Sequence, residues 1–248
     1  MKLRFDGNLA LILGGSSDLG IALAKSMMES EITPVLAYRN DAGKQRIEKT
    51  LYPIPAVFKT VLLDFSVRDT LKNISHETTG VPDFLVDFAQ SNYERLLSSA
   101  DTGDVYNYFE TNISYRAAVL NRISRMMLKR KKGRCVFVSS TGAARPNPGQ
   151  GFYAAAKAAS EALYRNLGLE LGCRGISTVI LRPGYIDAGR GRDYLKIRSE
   201  AAVSRIPIGR ALSADEISET ILFLLSESAG GFNATEICMD GGLNAGKT

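Results

Sequence analysis

Tyr153 and Lys157 stand four residues apart in Tyr-Ala-Ala-Ala-Lys, inside a helical pattern over 152–171. Positions i and i+4 share a helix face, so a phenol and an ammonium would project together. A nearby cation favours the phenolate and lowers a tyrosine from its ordinary pKa of about 10. Such a pair can act as general acid and base near neutral pH; an ordinary surface pair is the plainer alternative. Thirteen residues upstream, Ser140 closes the apolar run Cys135-Val-Phe-Val-Ser-Ser. The one histidine is His76, and chemistry built on histidine would have to rest on it alone. Three scattered cysteines, Cys135, Cys173 and Cys238, suit neither a disulfide framework nor a zinc site, and no metal is expected.

A second candidate is the stretch Leu11-Ile-Leu-Gly14-Gly15-Ser16-Ser17-Asp18-Leu19-Gly20. Glycines between a first strand and a first helix let a pyrophosphate approach the backbone and sit on free helix N–H groups. A plain tight turn would look similar. Asp18 would repel a pyrophosphate, although aspartate also suits a helix start. The next strand pattern ends Tyr38-Arg39, where dinucleotide sites selective for NAD usually carry an acid. Arg39 can pair with a ribose 2′-phosphate, which favours NADP; an exposed loop arginine is the alternative.

These residues need elements to hold them. Apolar runs at 9–13, 33–38, 57–63, 84–88, 135–138, 177–181 and 236–239 alternate with helical patterns at 19–30, 41–50, 67–78, 103–129, 152–171 and 214–226. That alternation argues an α/β fold, a parallel sheet of about seven strands with helices on both faces. The length of 248 residues suits one domain, with an irregular stretch over 183–210 expected as a substrate lid. No apolar run approaches the roughly 18 residues that span a bilayer, so a soluble, cytoplasmic protein without a membrane partner is expected. The formal charge of +5 is concentrated in two places: Lys129-Arg130-Lys131-Lys132-Gly133-Arg134, and the segment from Arg182 to Arg210. Each reads as a solvated face or as a surface for an anionic partner. The first lacks interleaved aromatics, so nucleic acid is not expected.

With these motifs in place the chain resembles, nearly end to end, the short-chain dehydrogenase/reductase family. The resemblance rests on Gly14 and Gly20, Asp64 after the third strand, Asn112 in Glu110-Thr-Asn, and Ser140, Tyr153 and Lys157. Pro183-Gly184 and Asp240-Gly-Gly complete it. It implies a Rossmann-type doubly wound fold, a nicotinamide cofactor, carbonyl/alcohol interconversion, and homodimers or homotetramers packed through the fourth and fifth helices. It also implies a catalytic set of Asn112, Ser140, Tyr153 and Lys157, with Asn112 holding a water in the proton relay. Cofactor contacts are implied for Gly14, Ser16, Ser17, Asp18, Leu19, Gly20, Arg39, Asp64, Phe65, Ala89, Gln90, Tyr153, Lys157, Pro183, Gly184 and Ile186.

The subgroup most similar is that of 3-oxoacyl-[acyl-carrier-protein] reductases, through Glu110-Thr-Asn-Ile-Ser, Tyr-Ala-Ala-Ala-Lys-Ala and Ile206-Pro-Ile-Gly-Arg210. It implies NADP and an acidic acyl carrier protein docking on Lys131 and Arg174. The pathway would be fatty-acid or specialised polyketide or polyene synthesis. A small-molecule ketone or alcohol as free substrate is the alternative, and a non-catalytic dinucleotide-binding subunit the lesser one. The chain departs from the family at Leu13, Asp18, Asp87-Phe88-Ala89-Gln90 and Ala188. Gln90 replaces a glycine, and its side chain is expected to crowd the cofactor ribose.

Overall fold

A computed structural model describes residues 3–75 and 77–245, with the backbone alone over 197–202; His76 lies outside the described residues. Seven strands form one parallel sheet: β1 (Leu9–Leu13), β2 (Thr33–Tyr38), β3 (Lys59–Leu62), β4 (Phe84–Asp87), β5 (Gly133–Val138), β6 (Ile176–Pro183) and β7 (Thr235–Met239). Their order is β3-β2-β1-β4-β5-β6-β7. The order reverses between β1 and β4, and in such sheets ligands bind in the crevice beyond the strand ends at that reversal.

Side chains alternate across each strand, so the sheet feeds two cores. Val136 and Val138 face α1 (Asp18–Glu29) and α7 (Ala214–Leu225), with Leu23, Met27, Ile217 and Ile221 opposite them. Cys135 and Phe137 face the other way, toward α4 (Tyr115–Arg130) and α5 (Gly151–Leu171). Tyr115, Val119, Ile123 and Met127 recur at helical spacing and bury one stripe of α4 against the sheet. Helix α2 (Asp41–Leu51) adds Ile47 and Leu51 to the first core.

Three segments differ from the sequence pattern. Among the described residues of 67–78, the helical element is a short 3₁₀ turn, Arg68–Asn73. The Thr70 hydroxyl is drawn inward to the Val67 carbonyl, the Asp64 backbone and the Tyr115 hydroxyl, which leaves no continuous apolar face for an α-helix. The segment 103–129 is α3 (Thr102–Phe109) joined to α4 through a π-helical turn, Glu110–Ser114. Such turns recur at functional sites, and this one carries Asn112. Within 183–210, read as irregular, α6 runs from Gly189 to Val203.

The basic run 129–134 is largely spoken for. Arg130 pairs with Asp83 at 2.9 Å and Lys132 with Asp6 at 2.7 Å. Arg134 turns inward and donates to the carbonyls of Leu224 and Ala229 beyond the end of α7. Arg134→Met should therefore leave polar groups unpaired and destabilise the fold by about 1–3 kcal/mol. Lys131→Met should stay within about 0.5 kcal/mol of the parent. Denaturant unfolding of the two variants checks this division; equal losses would contradict it.

Candidate active site

The crevice beyond the C-terminal strand ends is a cavity of about 670 Å³ lined by Ser17, Gln90, Ser140, Tyr153, Lys157 and Arg190 among others. Its floor begins at the turn after β1. Gly14 has a φ of +73°, and a Cβ there would meet the Phe88–Ala89 backbone at 3.1 Å. Gly20 cannot carry a side chain because its Cβ would lie 2.7 Å from the Gly14 carbonyl oxygen. Ser17 caps α1 by accepting from the Gly20 N–H at 3.1 Å. Ser17, Asp18 and Leu19 thus present a helix N-terminus to the cavity.

Asp18 is not left facing an anion with its charge unopposed. Its carboxylate bonds the Arg46 guanidinium and accepts from the Gly189 N–H at 2.8 Å, at the start of α6. These contacts hold it below the ordinary carboxylate range against the opposing effect of burial. The same contacts tie α1, α2 and α6 together across the crevice mouth.

Tyr153 lies in the first turn of α5, with the Ser140 hydroxyl near enough to its phenol to favour the ionised form. Ser140 also accepts from the Gly142 N–H at 3.0 Å, which fixes its rotamer. Burial holds the Tyr153 phenol above its ordinary pKa, with Ser140 and Arg190 pulling the other way. The lysine-lowered phenol expected from the spacing is not what this state presents. Lys157 lies 6.0 Å from the Tyr153 ring and donates to the Val138 carbonyl at 2.7 Å. Burial and then the Arg116 guanidinium bring its amine down to about 7.

Asn112 is buried and its amide is fully engaged. Nδ2 donates to Ser91 Oγ at 2.6 Å and to the Tyr108 carbonyl at 2.8 Å, while Oδ1 accepts from the Ser91 N–H at 3.0 Å. Its own carbonyl accepts from Arg116. Gln90 turns its amide nitrogen to the Tyr108 hydroxyl at 2.8 Å, and its buried Oε1 has no protein partner. Burial pushes the Tyr108 phenol up to about 12. The Gln90 side chain is therefore held aside by Tyr108, with its Oε1 buried and unpaired.

Other expected contacts lie where a dinucleotide would extend. Arg39 is exposed at the end of β2, and Asp64 and Phe65 follow β3, with Phe65 packed 4.8 Å from the Tyr115 ring. Pro183, Gly184 and Ile186 line the cavity wall. Gly14, Ser16 and Ala89 sit in the turns beneath that wall rather than on it. Lys131 and Arg174 lie elsewhere, beside each other at the N-terminal ends of β5 and β6, where Gly133 N–H donates to the Gly175 carbonyl at 3.0 Å. Helix α5 separates them from Tyr153 with 21 residues, about 30 Å. Among the described residues no cluster of His, Cys, Asp or Glu would hold a metal.

Sequence reasoning missed Arg116. It is fully buried and pairs with Asp87 at 2.8 Å, itself fully buried. It also bonds Ser160 Oγ at 2.8 Å and the carbonyls of Ala89 and Asn112. The available signal was Asp87, an acid at the end of a strand buried on both faces, which requires a cation. Glu161 and Arg182 form a second such pair one turn along α5.

Lys157 gives a test that needs no substrate. A buried lysine with a lowered pKa binds fewer protons folded than unfolded between about 7 and its unfolded value of about 10.4, so folding gains stability as pH rises through that window. Lys157→Met should accordingly raise Tm most at pH 6, with the gain shrinking toward pH 10. A gain independent of pH would contradict the assignment.

A family model described as enoyl-(acyl carrier protein) reductase matches residues 14–244. The 3-oxoacyl-[acyl-carrier-protein] reductase FabG of Pseudomonas aeruginosa is 29% identical over 97% of this chain and 99% of its own length. That of Escherichia coli K12 is 27% identical over the same shares. A solved short chain dehydrogenase/reductase family protein superposes with a TM-score of 0.86 at 25% identity, covering 99% of this chain and all of the other. The crystal structure of gox2181 gives a TM-score of 0.91 at 24% identity, covering 99% and 98%, and shares the fold. Matched along nearly its whole length, the chain belongs to the short-chain dehydrogenase/reductase family of oxidoreductases.

Proposed function

We propose that this protein is an NADPH-dependent reductase of 3-oxoacyl chains borne on an acyl carrier protein, acting in the cytoplasm in fatty-acid or specialised polyketide or polyene synthesis. The supporting observation is the full-length similarity to FabG reductases combined with an intact Ser140, Tyr153 and Lys157 set. The nicotinamide, when bound, supplies the hydride. Tyr153, kept protonated by burial, gives its proton to the ketone oxygen, and Ser140 donates a hydrogen bond to the same oxygen. Arg190 and Arg116 place positive charge near the phenolate that remains. Ser17 and Leu19 would hold the pyrophosphate at the α1 N-terminus and Arg39 the 2′-phosphate. The 183–210 segment acts as the substrate lid within a single domain, with α6 as its moving part. A homodimer or homotetramer is the assembly this reading carries.

A second reading, a free polar ketone as substrate, is favoured by the outer cavity wall. Asn92, Glu94, Arg145, Asn147 and Arg205 line it, and an aliphatic chain gains little there. Comparing kcat/KM for a carrier-bound 3-oxoacyl chain, its free thioester mimic and small polar ketones separates the two. The first reading expects the carrier-bound form to be preferred at low salt. It expects Lys131→Glu with Arg174→Glu to erase that preference alone. Parallel changes across substrates would favour the free ketone.

For the cofactor, NADPH should bind more tightly than NADH, and Arg39→Asp should abolish the difference by removing the phosphate partner and supplying a ribose acceptor. Fluorescence titration of both nucleotides reads this; a parent that prefers NADH would refute it. Tyr153→Phe should lower kcat at least about a hundredfold while nucleotide affinity survives. Retention of most activity would mean that another group is the acid.

A further inference from the structure

We propose that Arg116 is a positioning residue for Lys157: its guanidinium, held by Asp87 and by the Asn112 carbonyl, lies against the same Phe137 ring as the lysine amine and opposes the ammonium with a fixed charge. The proposal rests on reading Tyr153 and Lys157 as the acid–base pair.

The geometry starts from one ring. The Arg116 guanidinium carbon lies 5.3 Å from the centre of Phe137, and Lys157 Nζ lies 4.8 Å from the same centre. Two cations thus share one apolar side chain, away from solvent. Guanidinium stays charged at any accessible pH, so the lysine is the member of the two that can yield.

Each neighbouring carboxylate is already committed. Asp87, on β4, receives Arg116 at 2.8 Å and the Tyr164 hydroxyl at 2.9 Å. Glu161, on α5, receives Arg182 and the Ser139 hydroxyl at 2.6 Å. From α6, Arg190 adds a further positive charge. The direct partner of the Lys157 amine is the neutral Val138 carbonyl of β5. Burial, Arg116 and Arg190 all disfavour the ammonium, while Asp87 and Glu161 oppose them from carboxylates neutralised by their own partners.

The same guanidinium alters what Asn112 can do. The relay water implied by the family resemblance would need an Asn112 acceptor, and Arg116 takes one of the two lone pairs of that carbonyl, so a water there would share it with a fixed cation. The Asn112 amide is spent on Ser91 and Tyr108. Asp87 and Arg116 thus belong together: the acid that departs from the family's strand-four motif is what permits a permanent cation at this depth.

The test is a pH titration of Lys157 in protein carrying ¹³Cε-labelled lysine, followed by NMR and assigned by the resonance lost in Lys157→Met. The parent should titrate near 7. Arg116→Gln, which keeps an amide donor but removes the charge, should raise the midpoint by about one pH unit or more. Asp87→Asn should move it in the opposite direction, and Arg116→Lys should hold it near the parent. The pH profile of kcat on any ketone that is turned over should shift with the same signs. A merely structural role would lower Tm in these variants and leave the midpoint where it was. An unchanged midpoint in folded Arg116→Gln, or in Asp87→Asn if the first variant does not fold, overturns the proposal. The titration needs no substrate, so inactivity on every ketone would count against the reductase reading and leave this result readable.

Discussion

The Asp87–Arg116 ion pair is the interaction on which the crevice depends. Both side chains have no exposure to solvent, and a lone charge in that position would carry a penalty of several kcal/mol. Removing one partner therefore strands the other. Guanidinium is suited to the place because its planar fork can meet several acceptors at once. Here it meets Asp87 on β4, the Ala89 carbonyl beyond it, the Asn112 carbonyl in the π-helical turn and Ser160 on α5. One side chain thereby joins the strand that bounds the crevice to both helices of one sheet face. Tyr164 extends the set, accepting no solvent contact while its hydroxyl donates to Asp87 and its ring stacks on Phe137 at 4.9 Å.

This pair also explains why the segment from Asp87 to Gln90 departs from the family pattern without dismantling the site. An acid at position 87 is neutralised from α4, and the Gln90 side chain is drawn aside to Tyr108 instead of filling the crevice. Asp18 follows the same logic at the mouth: its charge is met by Arg46 and the Gly189 N–H. In each case a residue that conflicts with an anionic cofactor has acquired a partner within the protein.

The sheet and the shared helix face of Tyr153 and Lys157 were legible because their signals are local. Strands buried on both faces read as short apolar runs, and Tyr153 and Lys157 fall on one helix face by spacing alone. What escaped depends on contacts between distant segments. Arg116 reads as a surface residue of α4 until β4 supplies its carboxylate, 29 positions away. Arg134 reads as part of a solvated cluster until the carbonyls of Leu224 and Ala229 draw it inward. The helix over 189–203 carries weak amphipathic patterning and many charges, so neither periodicity nor caps announced it. The expected helix at 67–78 gives way, among the described residues, to a 3₁₀ turn in which the Thr70 hydroxyl is turned inward to the Asp64 and Val67 backbone and the Tyr115 hydroxyl.

Sheet polarity adds a constraint on any macromolecular substrate. Parallel strands put Tyr153, Ser140 and the cavity at one end of the sheet, and Lys131 with Arg174 at the other. With α5 between them, about 30 Å long by its rise per residue, these cations cannot touch a reacting carbonyl in the same chain. Exposed charges are screened over about 8–10 Å at physiological salt. Their influence on the chemistry of their own site is consequently negligible, and what remains to them is contact with the body of a partner. Within the run 129–134, Asp6 and Asp83 have already claimed Lys132 and Arg130. A carrier protein would therefore meet two or three separate cations at that end, not a dense patch. Such a surface orients an encounter more than it holds a complex.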